Sequence, residues 1–112
     1  MISQERKDLY YGPTGEKLVE QCRNITVLEP AKKGSAVQLT RCLDYITGVM
    51  DGAMMATTKA PSDFPTCIPN QETVGDFAHI VMKYSDAHPE YKKKVASALV
   101  LAAVHSAFPC GK

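Results

Sequence analysis

The amino-acid sequence predicts an all-α fold, a compact bundle of about four to five helices stapled by two disulfides. Three observations carry that reading. Apolar residues recur at three- and four-residue steps over long stretches. No stretch alternates with the two-residue period of a strand, and no Asn-Gly hairpin turn appears. Prolines and glycines punctuate the chain between the periodic stretches. With 112 residues, 45% hydrophobic and 22% charged, the chain suffices for one core, and it carries no solenoid-like repeat. We divide it into a polar lead-in, residues 1–13, and a single helical domain, residues 14–110.

The lead-in ends at Gly12-Pro13, after which Thr14 caps a short helix over residues 15–21. Leu18 and Val19 turn inward there, and Cys22 sits at the helix end. Residues 24–35 hold Pro30, Lys32, Lys33 and Gly34 and read as a loop. The second helix spans about residues 36–55, with Val37, Leu39, Cys42, Leu43, Ile46, Val49, Met50, Ala53 and Met54 at helical spacing. Gly48 and Gly52 share one of its faces, and we expect them to admit a close neighbouring helix. The stretch "TTKAPSDFPTCIPN", residues 57–70, contains three prolines and breaks the helical pattern. Thr73 and Asp76 form a capping box ahead of a third helix ending near Ala87, its inward stripe being Val74, Phe77, Ile80, Val81 and Tyr84. Pro89 suits the first turn of a fourth helix whose apolar face is Val95, Ala98, Leu99, Ala102, His105 and Phe108. Pro109 ends it.

A formal net charge of +1, with only Lys92-Lys93-Lys94 clustered, gives no basic footprint for nucleic acid. No apolar run is long enough for a membrane span, and Met1 to Asp8 is too polar for a signal peptide. If the protein is exported, its leader lies ahead of Met1. The four cysteines, Cys22, Cys42, Cys67 and Cys110, form no Cys-x-x-Cys pair and have no histidine at zinc spacing. They fit two bridges made in an oxidising compartment better than four unrelated buried thiols. A tight connection at His88-Pro89 makes the last two helices antiparallel, which brings Cys110 near Cys67. Cys22 can likewise meet Cys42 at the start of the second helix. Of the three pairings four cysteines allow, this geometry favours Cys22–Cys42 and Cys67–Cys110. Closing such loops contributes roughly 3 and 4 kcal/mol in the chain-entropy model.

Nothing converges into a catalytic centre. His105 and Cys110 are five apart and fall on different parts of a helical surface. Asp44 and Asp51 share a face and read as a solvated one rather than an acid–base pair. His79 and His105 read as packed histidines rather than metal ligands. Met50, Met54 and Met55 make a soft end to the second helix, either core or binding patch. We therefore expect no enzyme, no cofactor and no metal. A deep cleft joining Asp44, Asp51 or His105 would be needed to revive a catalytic reading.

Four linked blocks, "CLDYITGVMDGAM" at 42–54, "CIPNQETVGDF" at 67–77, "KYSDAHPE" at 83–90 and "ASALVLAAVHSAFPC" at 96–110, resemble the Rap/Tai-type immunity proteins in order and spacing. That resemblance implies a periplasmic helical domain with disulfides, made with a signal peptide and frequently homodimeric. It further implies a partner, a cognate peptidoglycan amidase effector of type VI secretion, whose active site the protein blocks. The matching positions read as scaffold. As inhibitory plug we single out the loop over residues 57–66, with Phe64 as apolar anchor and Lys59, Ser62 and Asp63 as polar contacts, stiffened by Pro61 and Pro65. Residues 29–35 are a second candidate surface. The alternative function is a periplasmic helical adaptor or holdase without a cognate toxin.

Overall fold

Four α-helices and one 3₁₀ turn form the described chain, residues 12–23, 35–59, 66–69 and 71–109 of the computed structural model. They are α1 (Gly15–Cys22), α2 (Ser35–Lys59), α3 (Val74–Ala87), the 3₁₀ turn (Pro89–Lys93) and α4 (Ala96–Ala107). No strand occurs among the described residues, only the isolated bridges Thr14–Val95 and Thr66–Pro109. Both predicted caps are present. The Thr14 hydroxyl accepts from the Lys17 amide at 3.2 Å. At α3 the box is reciprocal: Thr73 Oγ1 accepts from the Asp76 amide at 3.2 Å, and Asp76 Oδ2 accepts from the Thr73 amide at 3.0 Å.

α2 is longer than its apolar pattern. It begins at Ser35 and continues through Thr57 and Thr58 to Lys59, so the start of the predicted plug loop is helical. Threonine is a mediocre helix former but not a barrier; the first residue biased away from helix is Ala60, which precedes Pro61. The expected close approach at Gly48 and Gly52 is not found, since a Cβ at either would meet nothing within 4 Å. The close approach is instead at Gly15. A Cβ there would overlap the Tyr91 carbonyl oxygen and come within 3.2 Å of Leu99 Cδ2.

That contact belongs to a seam joining the start of α1 to the start of α4. The Gly15 amide donates to the Lys94 carbonyl and the Ala96 amide to the Pro13 carbonyl, both at 2.8 Å. The seam holds Lys94 and Val95 extended, with ψ of 168° and 143°. Hence Pro89 does not open one long helix. It opens the 3₁₀ turn, and α4 starts afresh at Ala96.

Leu18, Ile46, Val81, Leu99, Val100 and Val104 are fully buried at the centre of the bundle. In α3 the deepest positions are Ala78, Val81, Met82 and Ser85, with the predicted Val74, Phe77, Ile80 and Tyr84 packed beside them. In α4 the buried face is Ala96, Leu99, Val100, Ala103 and Val104, so of the predicted set only Leu99 is fully buried. This helix is apolar on nearly every side, and its periodicity does not mark which side goes deepest. α3 and α4 run antiparallel as predicted. Phe77 meets Phe108 edge-on at 6.3 Å at one end, and Tyr84 meets Tyr91 at 5.5 Å at the other.

One of the two predicted disulfides is found, Cys22–Cys42, with Cα atoms 5.0 Å apart and both residues fully buried. Cys67 is not a free thiol. Cys110 lies outside the described residues. The backbone beside it is paired with that of Cys67: the Cys67 amide donates to the Phe108 carbonyl at 2.9 Å, next to the Thr66–Pro109 bridge.

Candidate functional site

The residues with catalytic potential are kept apart by the fold. Asp44 and Asp51 both lie on the solvent side of α2. His79 is exposed on α3, and His105 is half-buried near the end of α4. Among the described residues no group of three or more His, Cys, Asp or Glu side chains could hold a metal ion. No described helix is long and apolar enough to cross a membrane.

The candidate plug is only partly described. Lys59 closes α2, while Ser62, Asp63 and Phe64 lie outside the described residues. Its flanks are nonetheless defined. α2 leads into it, and after it Thr66 and Cys67 are hydrogen-bonded to the end of α4. The second candidate surface, residues 29–35, lies outside the described residues except for Ser35, the first residue of α2.

The methionine group divides. Met50 is buried, whereas Met54 and Met55 are 55% and 67% exposed. Val37, near the other end of α2 and one of the residues at helical spacing, is 53% exposed. Exposed apolar side chains at both ends of one helix, with charged residues between them, are chemistry suited to a protein surface rather than to a reaction. Both readings of the methionine group, core and surface patch, are thus realised on one helix, because apolar spacing records apolar character and not the angle each residue occupies around the helix.

Sequence reasoning did not single out the aromatic elbow between α3 and α4. Tyr84 stacks on His88 at 4.2 Å and meets Tyr91 edge-on, and the Lys94 ammonium lies 5.4 Å above the Tyr91 ring. His88 Nδ1 is 3.8 Å from the Glu90 carboxylate. Burial, followed by Tyr91 and Glu90 beside it, raises the Tyr84 hydroxyl above the ordinary tyrosine value of 10.0. The available signal was the Tyr84, His88, Tyr91 spacing of four and three. The cluster fixes the turn that carries the Gly15 seam. The exposed Arg23–Asp86 pair at 3.3 Å, by contrast, adds little to stability.

Compared with known proteins, residues 14–110 match the family described as Rap1a immunity proteins. No significant match is found among curated proteins or solved structures.

Proposed function

The chain belongs to the Rap1a immunity protein family, and from that premise we propose that it protects its producer by occluding the active site of a type VI peptidoglycan amidase in the periplasm. Members of this family are inhibitors of a cognate toxin rather than enzymes, and the chain is one of them. The family match over residues 14–110 is the observation that carries the reading. The buried Cys22–Cys42 bridge agrees with an extracytoplasmic protein, because such bonds persist in oxidising compartments.

Inhibition by obstruction requires a stiff surface, since a pre-ordered binder loses less entropy on association. The segment over residues 57–66 meets that requirement at its flanks. It leaves a 25-residue helix and returns to backbone hydrogen-bonded to α4. Pro61 and Pro65 restrict the chain between. A Cys67–Cys110 bridge would add a covalent fastening beside the Thr66–Pro109 pairing. Phe64 serves as apolar anchor in the amidase cleft, and Lys59, Ser62 and Asp63 provide polar contacts.

The test is inhibition of peptidoglycan hydrolysis by a type VI amidase effector, sought first among the products of genes neighbouring this one. Equimolar wild-type protein should abolish turnover, and Phe64→Ala together with Asp63→Ala should release it. Full inhibition by the double variant would move the plug elsewhere and leave immunity standing. No inhibition by wild type would favour the adaptor or holdase reading.

A further inference from the structure

The described methionines divide by exposure. Met50 and Met82 are 7% exposed and belong to the core, whereas Met54 and Met55 are 55% and 67% exposed. Met1 lies outside the described residues. The two open methionines are consecutive on α2, so they point about 100° apart around the helix, and neither direction is covered. A helical backbone covers itself, so exposure of this size belongs to the side chain and brings the thioether into solvent. Among the described residues no cysteine is a free thiol, the sulfur an oxidant would otherwise take first. The thioethers are therefore the softest sulfurs that this part of the surface offers. They also stand at the root of the candidate plug: Met55 precedes Lys59, the last residue of α2, by four residues, one helical turn.

We propose that Met54 and Met55 form a reversible oxidation site, and that inhibition of the amidase weakens when both are sulfoxides. The effect on inhibition rests on the reading of residues 57–66 as the plug; the site itself does not. The oxidant is a two-electron oxygen donor of the peroxide class. A lone pair on Sδ attacks one peroxide oxygen, and the O–O bond breaks as the S–O bond forms. The proton on the transferred oxygen passes to the departing hydroxide, which leaves as water. Sulfur is oxidised by two electrons and the peroxide reduced by two. Reversal by a methionine sulfoxide reductase consumes a dithiol, which becomes a disulfide while the sulfoxide oxygen leaves as water. Each oxidation turns a flexible apolar side chain into a polar, chiral one, a change that disrupts methionine-rich contacts. Two such changes in adjacent residues make the root of the plug polar. The buried pair is spared, because peroxide reaches Met50 and Met82 only when the bundle opens. The Cys22–Cys42 bridge agrees with an oxidising compartment, where donors of this class are met.

Treatment of the full, non-reduced chain with hydrogen peroxide, followed by peptide mass mapping, tests the site. Met54 and Met55 should each gain one oxygen at least about tenfold faster than Met50 and Met82, with the circular dichroism spectrum unchanged while only those two are modified. Equal rates at all four overturn the proposal. Once the peroxide is removed, doubly oxidised protein should inhibit the amidase at least about tenfold more weakly than untreated protein. A sulfoxide reductase supplied with one dithiol per sulfoxide should restore inhibition. Met54→Leu combined with Met55→Leu should make inhibition indifferent to peroxide, which places the loss at these two sulfurs. Inhibition undiminished by double oxidation overturns the regulatory claim, as does a loss that persists in the leucine variant. Untreated protein that fails to inhibit would refute the amidase reading and the regulatory claim with it, and the mapping alone then decides the oxidation site.

Discussion

Replacing Gly15 by alanine adds one methyl group to a helix where alanine is intrinsically the better residue by about 1 kcal/mol. The surroundings reverse that preference. The new Cβ falls on the Tyr91 carbonyl oxygen and within 3.2 Å of Leu99 Cδ2. Leu99 can adjust its side chain, but a backbone oxygen inside the elbow cannot rotate away. Either α1 or the 3₁₀ turn must shift, and the Gly15–Lys94 and Ala96–Pro13 hydrogen bonds stretch with it. Overpacking of this kind costs about 1–3 kcal/mol and each weakened hydrogen bond about 1 kcal/mol. After the helix-propensity gain, the net loss is about 2–4 kcal/mol. For a domain of this size that lowers Tm by roughly 10–20 °C. Thermal unfolding of the non-reduced protein followed by far-ultraviolet circular dichroism measures it. Gly48→Ala is the control. It makes the same substitution in open helix surface and should raise stability by about 1 kcal/mol. A Gly15→Ala protein as stable as wild type would refute the claim that the seam is tight.

Three further outcomes are expected. Ser85→Ala should stabilise the fold by about 1 kcal/mol in urea unfolding, because its buried hydroxyl has no hydrogen-bond partner among the described residues and alanine is the better helix former. A loss of stability would show that Oγ is satisfied in solution. Cys22→Ala with Cys42→Ala should lower stability by roughly 3 kcal/mol, the entropy of closing a loop with a sequence separation of 20 residues. An unchanged urea midpoint would argue against that. Tyr84 is raised above 10.0 in the folded state, so its contribution is fully present below pH 10.0 and is lost as pH rises through the folded value. Stability measured from pH 8 to 11 should therefore fall more steeply for wild type than for Tyr84→Phe, and parallel curves would remove Tyr84 as the cause.

What could be read from the sequence was what is decided locally. The Thr14 cap and the Thr73–Asp76 box depend on residues three apart and stand as predicted. The Cys22–Cys42 pairing followed from two helices separated by one loop. The restart at Ala96 was not legible, because its cause is backbone pairing with Pro13 and Thr14, some eighty residues away. Gly15 was hidden for the same reason, and Gly48 and Gly52 were assigned its role without knowledge of which helix side was covered. At the candidate site, sequence identified the chemistry of α2 but not its aspect. Met50 and Met54 are four residues apart and were grouped together, yet one is in the core and the other on the surface.

The eight-residue α1 is far below the length at which a helix persists by itself. Its order is borrowed: from the elbow through Gly15 at one end, and from α2 through a sulfur–sulfur bond at the other. Such a piece behaves as a keystone, contributing little internal cohesion while tying together segments distant along the chain. Its release would also uncover the buried Leu18 and Val19, so amide hydrogens of α1 and the elbow should exchange together as one unit. An inhibitor assembled in this way could be disarmed by a reductant acting at the keystone, with its toxin-facing surface untouched.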